Sequence, residues 1–277
     1  MADYITVAEV RRVCGIPSTD INDTDMGAFI DAAEKNASRF LNVVFVPTED
    51  IEVRDGDGTA RLITLKKPLL ALRELKIDGT SVTINDNIEF EKNSGYIELD
   101  NIDGSPEVSY FKSKTKKTIV RYLHGWVEPT STSTTTDTDA EAGSSVDLSV
   151  ASETGFSDDD WVEIYGMDGN YEVAQITGTD TGEITVDELS YDHDSSSKVI
   201  KVTVPEDIKE IMRVVAGIGA VARIVGESAD DTTGYTLGEL SVQKGEPYTQ
   251  WRETANQLIK QRDEMVERLR WRTTSIQ

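Results

Sequence analysis

Residues 144–202 read SSVDLSV ASETGFSDDD WVEIYGMDGN YEVAQITGTD TGEITVDELS YDHDSSSKVI KV, and this stretch decides the architecture. Its apolar residues come in short alternating bursts: Val146, Leu148 and Val150; Trp161, Val162 and Ile164; Val173 and Ile176; Ile184, Val186 and Leu189; Val199, Ile200 and Val202. Turn residues recur between them at Thr154-Gly155, Gly166, Asp168-Gly169 and Thr181-Gly182. Period-two bursts separated by turns at such intervals predict a compact all-β module, a small barrel or sandwich. Upstream, Pro129-Thr130-Ser131-Thr132-Ser133-Thr134-Thr135-Thr136 offers no apolar side chain to bury, so 128–143 is expected to be a flexible Ser/Thr-rich linker.

Outward from this module the period changes. Thr6-Val7-Ala8-Glu9 has the form of a capping box and opens a helix that should stop at Gly15-Ile16-Pro17. Met26, Phe29, Ile30, Ala33, Ala37, Phe40 and Leu41 then share one face of a second helix. From Ile51 to Trp126 the reading is short strands. Ile51–Val53 and Leu62–Leu65 flank Asp55-Gly56-Asp57-Gly58, which reads as a hairpin turn rather than a calcium loop, since the remaining ligand positions are missing. Further strands are expected at Glu74–Ile77, Ser81–Ile84, Ile88–Glu91, Tyr96–Leu99, Val108–Phe111 and Thr118–Leu123. Pro205 opens a helix rich in Ala and Gly, whose small residues suit the centre of a helical core. Pro247 opens a last long helix reaching about Trp271.

The expectation is an α+β chain. A helical bundle, made of the N-terminal helices plus two long C-terminal helices, carries a strand-rich middle segment and an inserted small all-β barrel or sandwich. The core comprises 1–127 and 203–277, and 144–202 is an acidic insertion that should point outward and be dispensable for assembly.

The chain of 277 residues carries a formal charge of −23. Seventeen of its 51 acidic residues lie between Thr130 and Ser197, where there is no Lys or Arg; the remainder sets 34 acidic against 28 basic residues. So acidic a segment repels polyanions unless salt screens it, with a Debye length of about 3 Å at 1 M. It suits a high-salt cytoplasm. No apolar run approaches the roughly 20 residues of a membrane span, and the start lacks a signal-peptide layout, so folding in the cytoplasm is expected. The single cysteine, Cys14, excludes an internal disulfide and reads as core filler.

Chemistry is sparse. His124 and His193 are the only histidines, and no motif for hydrolase, redox or nucleotide chemistry is present. His124 reads as an edge or interface histidine and His193 as part of a hydrated surface loop. No catalytic, cofactor or metal residue is expected. The candidate partner contacts are the basic run Lys112, Lys114, Lys116 and Lys117 with Arg121, and the last helix's Trp251, Arg268, Arg270 and Trp271. An acidic protein neighbour suits the basic run better than DNA, because phosphate binding without a wider basic field is weak.

With the insertion set aside, the segment order resembles a known family. Ile5-Thr6-Val7-Ala8-Glu9-Val10 leads to a helix ending Ala37-Ser38-Arg39-Phe40-Leu41-Asn42. Then follow Leu65-Lys66-Lys67-Pro68-Leu69-Leu70-Ala71-Leu72, Leu75-Lys76-Ile77-Asp78-Gly79, Gly95-Tyr96-Ile97-Glu98-Leu99, Ile119-Val120-Arg121-Tyr122-Leu123-His124-Gly125-Trp126 and Val204-Pro205-Glu206-Asp207-Ile208-Lys209. Over roughly 4–127 and 203–271 this is similar to the head–tail connector (adaptor) proteins of tailed phages and related archaeal viruses. The resemblance implies a mainly helical, non-enzymatic subunit. It implies a ring, commonly of twelve copies, joining the portal protein to a head-closure or tail protein around the DNA channel of a virion. DNA would pass without sequence-specific binding, and no membrane is involved. A head-closure or tail-completion protein, and a glycan- or cation-binding β module on a helical scaffold, are the alternatives.

Overall fold

The computed structural model describes residues 4–41, 44–84, 88–99, 110, 111, 113, 117–167, 169–228, 234–237, 240–243 and 247–274. The chain divides into two compact units, Met1–Asn42 with Pro205–Gln277, and Val43–Val204.

The first unit is helical. Helix α1 (Val7–Cys14) is capped as the sequence suggests: Thr6 accepts from the Glu9 amide while the Glu9 carboxylate accepts from the Thr6 amide. It ends where Gly15 takes φ 71°, a left-handed conformation that costs glycine little. Helix α2 (Asp23–Leu41) buries Met26, Ile30, Ala33 and Ala37. Helix α3 (Glu206–Ser228) packs against α1, α2 and α4 (Pro247–Thr274), the central place its small residues predict. A Cβ on Gly217 would sit 3.3 Å from the Cys14 Cβ and 3.5 Å from Leu258 Cδ1. Cys14 is buried in that contact. Arg213 on α3 bridges Glu9 at 3.1 Å and Glu206 at 2.5 Å. A hairpin of β14 (Gly234–Leu237) and β15 (Leu240–Gln243) lies between α3 and α4 in sequence.

The second unit is all β. One sheet has the order β1 (Thr48–Arg54), β7 (Thr118–His124), β3 (Leu69–Ile77), β4 (Thr80–Val82). Another has β2 (Arg61–Ile63), β6 (Tyr96–Leu99), β5 (Ile88–Glu91). Between them lies a core of Leu62, Leu72, Leu75, Ile88, Ile97, Leu99, Phe111, Val120 and Tyr122. The third sheet runs β8 (Glu128–Thr135), β13 (Lys198–Thr203), β10 (Trp161–Tyr165), β11 (Tyr171–Asp180), β12 (Glu183–Leu189), β9 (Gly143–Ser149). The Thr136–Val150 bridge and the Ala151 amide on Thr135 O join its first and last strands, so it closes into a six-stranded barrel. Leu148, Val162, Ile164, Ala174, Ile176, Ile184, Val186 and Val199 fill the interior.

Several expectations are corrected. The chain is not a helical bundle with a small inserted barrel: among the described residues thirteen strands fall in the three antiparallel sheets of the second unit and two more in the β14–β15 hairpin, beside four helices. The long amphipathic helices dominate the pattern of the sequence. Yet the short strands of 51–126 join the barrel in one unit and form a core of their own.

Residues 128–135 are strand, not linker. Their backbone pairs with β13, and alternate residues are half-buried, which Thr tolerates well at an edge. Thr136 is buried; its Oγ1 accepts from the Ser197 amide and donates to Asp194 O, each at 3.0 Å. The hairpin across Asp55–Gly58 does not form either. β1 pairs with β7 and β2 with β6, so that turn carries the chain from one sheet to the other. Tyr110 and Phe111 fall outside any strand, and the rest of Val108–Phe111 lies outside the described residues.

Candidate functional site

The basic run and the last helix are where partner contact was expected. Lys112, Lys114 and Lys116 lie outside the described residues. Lys117 is exposed and pairs with Asp78 at 3.5 Å. Arg121, on β7, is held within its own chain: Glu188 of β12 binds it at 2.8 Å and Glu49 of β1 at 3.1 Å. Those carboxylates raise its pKa further, Glu188 most. Arg121 is therefore a link between sheet and barrel. On α4, Trp251 is half-buried and Arg268 exposed; Arg270 and Trp271 belong to the helix's last turns. Lys117 and Arg121 belong to the Val43–Val204 unit, and α4 belongs to the other.

A more elaborate polar cluster sits where sequence reasoning did not look. Leu70, Ala71 and Leu123 of the first sheet, with Val127, pack on Val173 and Val202 of the barrel, flanked by Trp161 and Tyr171. Inside this junction Arg73 reaches from β3 to Glu172 on β11 at 3.4 Å and donates to Val173 O at 3.0 Å and to Glu188 O. The Glu172 carboxylate also accepts from the amides of Ser190 and Tyr191, with His193 Nε2 3.0 Å away. Both side chains of the ion pair are almost wholly buried. His193 is 1% exposed, so it is not in a hydrated surface loop. Tyr191 extends the tie to the second sheet, its hydroxyl donating to Ile88 O at 2.7 Å. Nearby, Lys92 lies 4.7 Å from the Tyr171 ring centroid and 3.6 Å from Glu163. Burial lowers the Lys92 pKa and raises that of Tyr171. Arg73, Glu172 and His193 carried no usable signal: the ion pair spans 99 residues, and one Glu among many in an acidic segment does not stand out.

His124 is buried on β7, a central strand, rather than at an edge. Tyr122 donates to Glu52, which also accepts from the Leu65 amide at 2.9 Å, and Lys66 bridges Asp50 at 2.5 Å. Burial first, and the Lys66 charge second, lower the His124 pKa; Asp50 and Glu52 offset this only in part. The unfolded chain then binds the imidazole proton more readily than the folded one. Stability is complete above the ordinary histidine pKa of about 6.5 and is lost as pH falls below it toward the depressed folded value. Thermal unfolding between pH 8 and pH 5 should show this slope, and His124→Gln should reduce it. An unchanged slope would remove His124 from the account.

Among the described residues no helix is long and apolar enough to cross a membrane. No family model matches the chain, and no curated protein matches it.

Proposed function

We propose that the chain is a structural subunit of a tailed virus, forming an oligomeric ring at the head–tail interface that joins the portal to the tail and surrounds the DNA channel. The reading rests on segment order and on one observation above others. Helix α4 has 28 residues, about 42 Å at 1.5 Å per residue. Between Trp251 and Leu269 its own chain buries only Leu258, Met265 and Leu269, while Ile259 and Arg268 stay exposed. Helices in water draw most of their stability from tertiary packing, so a helix this long and this thinly covered suits a neighbour's surface. The likeness to connector proteins lies in the order of segments, not in the proportion of helix. The acidic barrel surface suits a particle assembled in concentrated salt, and a negative lumen would let DNA slide.

Light scattering on purified protein in molar salt tests the reading. A ring has a mass many times 30.6 kDa and shows as an annulus by negative stain. A monomer at every concentration and salt, or virion necks lacking this polypeptide, would refute it.

A further inference from the structure

The barrel presents an apolar knob. Met167 is 86% exposed, the most of any large apolar side chain among the described residues, and Tyr165 near it is 52% exposed. Both sit at the tip of the β10–β11 hairpin, where Tyr165 pairs with Tyr171. Backbone bonds hold the tip: the Gly166 amide donates to Asn170 O at 3.1 Å and the Gly169 amide to Gly166 O at 3.3 Å. A single exposed apolar residue is ordinary, but two together at one tip make a patch, and a flexible thioether suits an irregular apolar hollow.

The helical unit presents a hollow of matching character. A cleft of about 530 Å³ lies between the start of α1 and the first half of α2, within the size range of ligand pockets. Buried Ile5 and Ile30 line it, with Val7, Gly27, Ala28 and Asp31. Gly27 is the informative residue. Glycine inside a helix is unfavourable relative to alanine, yet a Cβ built at this position would meet no atom of another segment within 4 Å. Packing within the chain does not require the glycine. A side chain from another molecule, brought close to the α2 backbone, gives it a use.

Charge complements shape. Lys198 and Lys201 are the only Lys or Arg residues from Thr130 to Val204, and Lys201 is held by Asp160 at 2.6 Å. Lys198 is exposed and lies directly across from Tyr165, on β13 beside the knob. Asp31, also exposed, lies on the cleft. Elsewhere the barrel is acidic and would repel α2, which opens with Asp23 and Asp25, so the cation beside Tyr165 selects the part of the barrel that can approach.

We propose that the β10–β11 tip of one copy inserts Met167 and Tyr165 into the α1–α2 cleft of a second copy, with Lys198 of the first against Asp31 of the second. Knob and cleft are different surfaces, so the contact is head-to-tail and repeats from copy to copy; contacts of this kind close into rings or run on as filaments. The proposal supplies a contact for the ring inferred above and rests on that reading only for closure and the number of copies.

Met167→Cys and Ala28→Cys, made in differently tagged full-length chains, test it. The native Cys14 is buried and should stay silent. Oxidised together in molar salt, the two chains should give a disulfide joining the tags, and either variant alone should give little. Met167→Asp, and Gly27→Leu, which fills the cleft, should each weaken self-association at least about tenfold, the equivalent of 1.4 kcal/mol. Lys198→Glu and Asp31→Lys should each weaken it at lower salt, where screening is slight, and the combination should recover most of the loss. These positions face solvent or the open cleft, so melting temperature should hold, and it is measured as the control. A cross-link from Met167→Cys alone would overturn the contact in favour of tip-to-tip pairing. An oligomeric wild type with no mixed cross-link, or with an affinity that Met167→Asp and Gly27→Leu leave unmoved, would overturn the contact and leave the ring standing. A wild type monomeric in molar salt would overturn both.

Discussion

Replacing Arg73 by alanine is expected to destabilise the Val43–Val204 unit by about 3–5 kcal/mol, the range seen when one partner of a buried ion pair is removed. For a unit of this size that is a fall of roughly 10–15 °C in melting temperature. The mechanism is specific. Glu172 is completely buried, and in the variant its carboxylate keeps the amides of Ser190 and Tyr191 and the His193 ring but loses its cation. The carbonyls of Val173 and Glu188 lose a donor as well. Glu172→Gln is expected to do less harm. The amide side chain is nearly isosteric, and Arg73 keeps both carbonyls and Asp187, 3.7 Å away. The decisive comparison is Arg73→Met with Glu172→Leu. If the cost of each single change is an orphaned charge, the double variant should be more stable than the sum of the singles by 2 kcal/mol or more, because nothing charged is left behind. Additive losses in denaturant titrations would instead mean that the junction admits water, and that Arg73 works by packing alone.

That cluster also marks where the sequence stops being legible. The helices could be read because their signals are local: a cap three residues from its partner, a stripe every third or fourth residue, a proline at each of two starts. The barrel's rhythm from Val146 to Val202 was equally local. What failed depended on partners distant in sequence. The threonines of β8 carry no apolar pattern, since a strand whose backbone is paired with β13 and whose side chains are half-buried needs none. Asp55–Gly58 was a sound turn, but no sequence rule says whether the next strand returns to β1 or crosses to another sheet. The candidate contacts fared in the same way. Arg121 looked like a free cation beside a basic run, and its two carboxylate partners come from 72 residues before it and 67 after.

The fate of the acidic segment follows from the same geometry. Read from composition, 144–202 is an insertion that could be cut out with assembly intact. In the structure, its removal takes away most of β9 and β13 and all of β10 to β12, leaving β8 with no strand to pair. It also uncovers Leu70, Ala71, Leu123 and Val127 and strips Arg73 of Glu172. Burying a leucine or valine is worth about 1.5–3 kcal/mol, so exposing this patch and an unpaired guanidinium exceeds the few kcal/mol by which most domains are stable. The expected result is loss of soluble, cooperatively folded protein rather than a smaller subunit that still assembles. Excising Pro129–Thr203 instead, with a short Gly/Ser bridge, removes the stranded β8 but keeps the uncovered patch. Adding Leu70→Ser, Leu123→Thr and Arg73→Ser to that deletion should then recover solubility in part, since the patch is what the barrel covers. Soluble fraction, circular dichroism and the sharpness of thermal unfolding distinguish the three variants. If the simple 144–202 deletion stays soluble and melts as sharply as the intact chain, the barrel is an appendage and the junction carries no stability.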